Sequence, residues 1–119
     1  MQEARLPKTV ALSHNEQLAL NGIIKELTEK YPFIRSVILY GSKARGDFLE
    51  HSDVDLLFVA DSDVARTTRD GIYDIMYDYE LAHDVVVSGV FVSEQDFRNK
   101  VSPFLIKVRR EGIVLWSRE

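Results

Sequence analysis

Residues 37–59 read VILYGSKARGDFLEHSDVDLLFV, and this stretch decides the fold. It begins with a short apolar run that ends at Gly41, and it closes with a second apolar run over residues 56–59. Short apolar runs bounded by turn residues are typical of buried strands. The segment between Ser42 and Asp53 leaves room for a short helix and a loop. The local order is therefore strand, short helix, strand.

Helical and strand patterns alternate on both sides of this stretch. Ser13 and Glu16 have capping-box spacing and open a helix predicted over residues 14–31. The other predicted elements are a helix over about 63–82, a strand over 85–92, a short helix over 93–99, a helix from Ser102 to Gly112 and a strand over 113–116. This order predicts an α/β (α+β) fold in which helices cover a small, partly parallel sheet.

Composition limits the possible classes of protein. The chain has 119 residues, of which 45% are hydrophobic and 29% charged, and we expect a single domain over 1–119 with a short N-terminal lead over 1–10. A net charge of -4 disfavours non-specific binding to nucleic acid. The absence of cysteine excludes disulfides and cysteine-based metal or redox sites. No apolar run reaches the ~18 residues of a membrane span, so we expect a soluble, cytoplasmic protein with no membrane partner.

Two aspartates stand at the entry to the second predicted strand. Because side chains alternate along a strand, Asp53 and Asp55 should lie on one face with Cα atoms about 6.5 Å apart. Adjacent carboxylates repel each other unless a cation lies between them, which makes the pair a candidate divalent-metal site. A solvated loop with two surface aspartates is the alternative interpretation, and it is favoured when the aspartate pair is considered by itself.

A glycine and a serine follow the first predicted strand. Gly41 allows the backbone to approach a ligand closely, and the free N–H groups of a helix beginning at Ser42 suit a phosphate. An ordinary turn between a strand and a helix would look the same. Together with the aspartate pair, however, this turn indicates adjacent phosphate and metal sites at strand ends, where open sheets bind ligands.

The sequence GSKARGDFLEHSDVD at residues 41–55 has the spacing G-S-x10-D-x-D. This spacing resembles the signature of the minimal nucleotidyltransferases, small members of the DNA polymerase beta-like superfamily. The resemblance covers about residues 14–116 and implies the nucleotidyltransferase fold, with a sheet like that of the polymerase beta palm. An EF-hand loop, a P-loop and a dinucleotide-binding glycine motif are all missing from the sequence, which excludes those classes.

The resemblance also implies a metal-dependent reaction. Asp53 and Asp55 would bridge two Mg²⁺ ions, which support both the attacking and the leaving oxygen in phosphoryl transfer. The family has a third carboxylate on the strand after the long helix, and Asp84 would stand at the start of that strand. Asp84 would bind the ion nearer the acceptor hydroxyl and act as its general base. A cap at the end of a strand or helix is the alternative role for Asp84.

The same resemblance makes ATP or another NTP the substrate. Gly41 and Ser42 would hold its β- and γ-phosphates. Lys43 or Arg45 would neutralise the charge that develops there, although both could equally be solvated residues of a short helix.

The family's minimal members commonly pair with a helical HEPN toxin, which implies an antitoxin that transfers AMP to a hydroxyl of this partner. A non-catalytic antitoxin that acts by binding, and a free-standing enzyme that modifies a small molecule such as an aminoglycoside, stay open as alternatives. The basic residues within 98–119 could dock a partner or form a solvated helix face; they are Arg98, Lys100, Lys107, Arg109, Arg110 and Arg118. A homo-oligomer also stays open, although the spacing of Tyr73, Tyr77 and Trp116 favours a place in the core.

Overall fold

A computed structural model describes residues 12–47 and 52–118. The predicted lead over 1–10 and residues 48–51 lie outside the described residues. The elements are α1 (His14–Lys30), β1 (Ile34–Tyr40), α2 (Ser42–Arg45), β2 (Val54–Ala60), α3 (Arg66–His83), β3 (Val87–Ser93), α4 (Glu94–Asn99), α5 (Pro103–Glu111) and β4 (Ile113–Ser117). The predicted alternation of helices and strands is therefore confirmed.

The strands form one mixed sheet in the order β3-β2-β1-β4. β1 is antiparallel to both of its neighbours, and β2 is parallel to β3. The register places Tyr40 opposite Asp55 across β1 and β2, and Asp55 beside Ser88 across β2 and β3. The two central strands thus bring the end of β1 to the beginning of β2.

Helices cover both faces of the sheet. α1 and α3 pack on one face, where Leu56 and Phe58 of β2 are fully buried. α5 packs on the other face against Leu57 and Val59. Because side chains alternate along a strand, Asp55 lies on the face that α5 covers. No helix within the described residues is long and apolar enough to cross a membrane.

A buried ion pair joins the beginning of α1 to α2. The predicted capping box is present: the Ser13 hydroxyl accepts from the Glu16 backbone N–H, and Glu16 Oε1 accepts from the Ser13 N–H at 2.9 Å. The other oxygen, Glu16 Oε2, lies 3.0 Å from Lys43 Nζ. Lys43 is only 3% exposed. Lys43 therefore points toward α1, and neither of its predicted roles, phosphate binding or a solvated position, matches this placement.

Asp84 lies at the end of a helix and not on a strand. α3 extends to His83, and Asp84 is its C-cap, with φ 55° in the left-handed region. β3 begins only at Val87, so the expectation that Asp84 starts the third strand is wrong. The physical reason is that the helical hydrogen-bond pattern persists to its last turn, where the Asp84 N–H donates to the Glu80 carbonyl.

One further expectation about side-chain exposure is wrong. Tyr73 and Tyr77 are 39% and 57% exposed and are not core residues, although the Tyr73 hydroxyl donates to the Gly89 carbonyl of β3. Two of the basic C-terminal residues are already bonded to backbone carbonyl groups. Arg109 donates to the carbonyls of Phe97, Asp96 and Lys100, and Arg118 donates to those of Ile34 and Thr28.

We predict that Lys43→Met lowers the free energy of unfolding by about 3 kcal/mol, because it leaves the Glu16 carboxylate buried without its cation. Urea denaturation measures this change. Lys25→Met, at an exposed lysine of α1, is the matched control and should leave the stability within about 0.5 kcal/mol of the wild type. Equal stability of Lys43→Met and the wild type would contradict a structural ion pair.

Substitutions at Asp84 distinguish a helix cap from a strand position. Left-handed backbone favours glycine and penalises a β-branched residue, so Asp84→Gly should be at least as stable as the wild type, whereas Asp84→Val should lose about 1–2 kcal/mol. Thermal denaturation followed by circular dichroism compares the two variants. The opposite ranking, with valine more stable than glycine, would place Asp84 in extended strand backbone.

Candidate active site

The turn after β1 closes directly onto the second aspartate. Gly41 has φ 78°, a conformation that glycine adopts at little cost. A Cβ atom at Gly41 would collide with Asp55 Oδ2 and lie 3.3 Å from Asp55 Cγ. Glycine is therefore required for two reasons, the backbone angle and the contact with the carboxylate. The sequence prediction that the glycine–serine turn and the aspartates meet is confirmed at this position.

A cavity of about 360 Å³ opens at this turn. Such a volume lies within the usual range of small-molecule sites, roughly 300–1,000 Å³. Residues of β1, α2, β2 and α5 line it: Tyr40, Gly41, Ser42, Arg45, Asp55, Phe104, Lys107, Val108 and Glu111. The cavity therefore has carboxylate, hydroxyl, cationic and aromatic groups along its walls.

The surroundings of Asp55 disfavour its ionised form. Burial raises the pKa of the Asp55 carboxyl, the negative charge of Asp53 raises it further, and the Arg45 guanidinium lowers it. Burial also raises the pKa of the Tyr40 hydroxyl, and the Asp55 charge adds to that effect. A cation bound between Asp53 and Asp55 would favour the ionised form of both carboxyl groups.

The structure brings most of the predicted site residues together. Gly41, Ser42, Arg45 and Asp55 line the cavity. Asp53 is exposed and precedes β2, and its charge acts on Asp55. These positions make one continuous site from two neighbouring strands.

Two predicted site residues have contacts that the sequence analysis did not assign to them. Lys43 forms the ion pair with Glu16, and Asp84 caps α3. Within residues 12–47 and 52–118, no group of three or more histidine, cysteine, aspartate or glutamate residues could hold a metal ion. The residue of β3 beside Asp55 is Ser88. The described residues therefore bring the carboxylates of Asp53 and Asp55 together, and a metal-binding role for Asp84 stays a prediction.

Arg45 lines the cavity and is bonded to two acidic side chains. Its Nε is 3.1 Å from Asp47 Oδ2, and its Nη1 is 3.3 Å from Glu111 Oε2. Both bonds raise the pKa of the Arg45 guanidinium. Because Glu111 belongs to α5, this contact connects the α2 side of the cavity to the α5 side.

Sequence reasoning missed the α5 side of the site. Phe104, Lys107 and Glu111 follow the strand motif by more than forty positions, and the motif does not show which helix will pack beside it. The one available signal was the spacing of these residues at i, i+3 and i+7, which places them on one helix face. The sequence does not show that this helix face points toward Asp55.

Comparisons with known proteins match the chain over most of its length. The family described as "Nucleotidyltransferase domain" matches residues 20–114. "Putative protein adenylyltransferase MJ0604" of Methanocaldococcus jannaschii is 36% identical over 104 residues, covering 86% of this chain and 99% of the relative.

Two solved structures share the fold. A chain from a toxin-antitoxin crystal structure with AMP-PNP has a TM-score of 0.60 at 26% identity, over 83% of this chain and 73% of that chain. A chain from the toxin-antitoxin MntA-HepT has a TM-score of 0.55 at 25% identity, over 86% and 73% of the two chains. The sequence match spans most of the protein and includes the glycine–serine turn and both aspartates, so the chain belongs to the nucleotidyltransferase domain family.

Proposed function

We propose that this nucleotidyltransferase is the antitoxin of a toxin–antitoxin pair and transfers AMP from ATP to a hydroxyl of its HEPN toxin partner, in a reaction that depends on Mg²⁺. The observation that carries the proposal is the contact of the Gly41 turn with the Asp55 carboxylate inside a cavity. The adenylyltransferase name of the relative and the toxin-antitoxin structure with AMP-PNP support the substrate and the type of partner.

The aspartate pair suits Mg²⁺. Carboxylate oxygens are the hard ligands that this ion takes, and Mg²⁺ is commonly bound by one or two carboxylates, with substrate phosphates and water filling its other positions. Asp53 and Asp55 would therefore be sufficient protein ligands without Asp84. When bound, the ion would supply positive charge beside the phosphates and so stabilise the charge that develops during transfer.

The protein's own groups would orient the triphosphate. Gly41 carries no side chain that could keep a ligand from its backbone, and Ser42 lines the same cavity. Arg45 adds a guanidinium to that end of the cavity. The acceptor hydroxyl gives its proton to water, its oxygen forms a bond to the α-phosphorus, the bond between the α-phosphorus and the oxygen that bridges it to the β-phosphorus breaks, and pyrophosphate leaves.

We predict that Asp53→Asn and Asp55→Asn each reduce AMP transfer by at least about 100-fold, because each removes a carboxylate ligand. The assay incubates the protein with Mg²⁺, ATP and a HEPN-type helical protein as the candidate partner, and measures the intact mass of both chains. Asp78→Asn, at an exposed position on α3, is the matched control and should retain full transfer. Chelation of Mg²⁺ with EDTA should abolish the reaction.

Each outcome of this assay decides between the candidate functions. A partner that gains the mass of one or more AMP units supports the proposal. A tight complex of unmodified chains would instead support an antitoxin that acts by binding alone. Asp84→Asn should keep most of the transfer, and a loss equal to that of Asp55→Asn would return Asp84 to the metal site.

The unfavourable charge at Asp55 predicts a pH-dependent stability. Its pKa is raised in the folded state, so the ionised carboxylate destabilises the fold as the pH rises through that value. Without Mg²⁺, Asp55→Asn should therefore unfold at a higher temperature than the wild type at pH 7. The difference should shrink as the pH approaches about 4, the pKa of unfolded aspartate. A less stable Asp55→Asn at pH 7 would contradict this electrostatic account.

A further inference from the structure

The basic side chains near the cavity differ in whether they already have an acidic partner. Lys43 is paired with Glu16, and Arg45 is bonded to Asp47 and Glu111. Lys107 of α5 lines the same cavity as Ser42 and Asp55, and it forms no ion pair with any of the described residues. Among the lysines and arginines that line the cavity, Lys107 is therefore the one with no acidic partner in the described part of the chain.

An aromatic ring lies one helical turn before this lysine. Phe104 is 40% exposed although it belongs to a cavity wall. Its ring contacts Tyr40 edge to face, with centroids 5.3 Å apart and planes at 87°. Tyr40 therefore holds the Phe104 ring from its side, and a flat ligand could stack on the exposed part of that ring.

α5 is held firmly enough to serve as a binding wall. Leu105 and Val108 of α5 are buried against the sheet. The Arg109 guanidinium donates to the carbonyl oxygens of Phe97 and Lys100 at the end of α4. A helix fixed at both its apolar and its polar side keeps the positions of the residues that face the cavity.

We propose that α5 is the nucleotide-binding wall of this cavity, with Lys107 contacting the polyphosphate and Phe104 stacking against the purine base. The inference rests on the proposed use of ATP and adds two residues to that site. Phe104 and Lys107 are three positions apart and therefore lie on one helix face. Lys107 takes the charge-neutralising role that the sequence suggested for Lys43, and Phe104 gives the enzyme a contact with the base.

The experiment measures the binding of two probes by calorimetry, without the partner protein: ATP with Mg²⁺, and inorganic tripolyphosphate with Mg²⁺. Lys107→Met should weaken both probes about tenfold, because it removes one charge-assisted contact to phosphate. Phe104→Leu should weaken ATP about tenfold and leave tripolyphosphate unchanged, because only ATP carries a base to stack. Phe104→Tyr, which keeps the ring, should retain most of the ATP affinity.

The controls separate this inference from the proposed function. Lys25→Met should bind both probes as the wild type does, and urea denaturation checks that every variant is folded. If the wild type binds ATP and Lys107→Met binds it equally well, the role of Lys107 is wrong while the proposed function stands. Equal weakening of both probes by Phe104→Leu would overturn the stacking assignment. A wild type that does not bind ATP would overturn the proposed function itself.

Discussion

The antiparallel pairing of β1 with β2 is the constraint on which the site depends. The register places Tyr40 opposite Asp55, and the next residue, Gly41, turns directly over the Asp55 carboxylate. A shift of this register by one residue would turn the Asp55 side chain to the face covered by α1 and α3. Such a shift would bury the polar Asp55 side chain against the apolar core and would exchange the differently sized side chains of Leu56, Leu57 and Phe58 between two packed faces, so it is disfavoured. Core packing therefore maintains the geometry of the site.

The site is electrostatically unfavourable in the absence of a cation. Asp55 is partly buried, and the neighbouring Asp53 raises its pKa further. A partly buried carboxylate beside a second one disfavours its own ionised form, so the position of Asp55 is easier to explain by ligand binding than by folding. The opposite arrangement occurs between Glu16 and Lys43, where a buried carboxylate has its cation 3.0 Å away. The Glu16–Lys43 pair joins α1 to α2, whereas the Asp53–Asp55 pair has like charges and suits the binding of a cation.

The sequence predicted the order of helices and strands along the chain near the motif, the capping box of α1 and the closeness of the glycine–serine turn to the aspartates. These features depend on residues close together in the chain, whose spacing limits the possible geometry. Asp84 was placed wrongly because the end of a helix and the start of a strand differ by only a few residues, and the helix continued to His83. Lys43 was placed wrongly because its direction depends on how the short helix α2 sits against α1.

By itself, the sequence determined the alternation of helices and strands, the position of the turn and the pair of acidic groups, because local hydrophobic periodicity and spacing specify these features. Only the tertiary structure decided what surrounds the pair. α5 reaches the cavity because Leu105 and Val108 bury against the sheet, and this long-range packing brings Phe104 and Lys107 into place. The same packing makes Ser88, rather than a third carboxylate, the neighbour of Asp55 on β3.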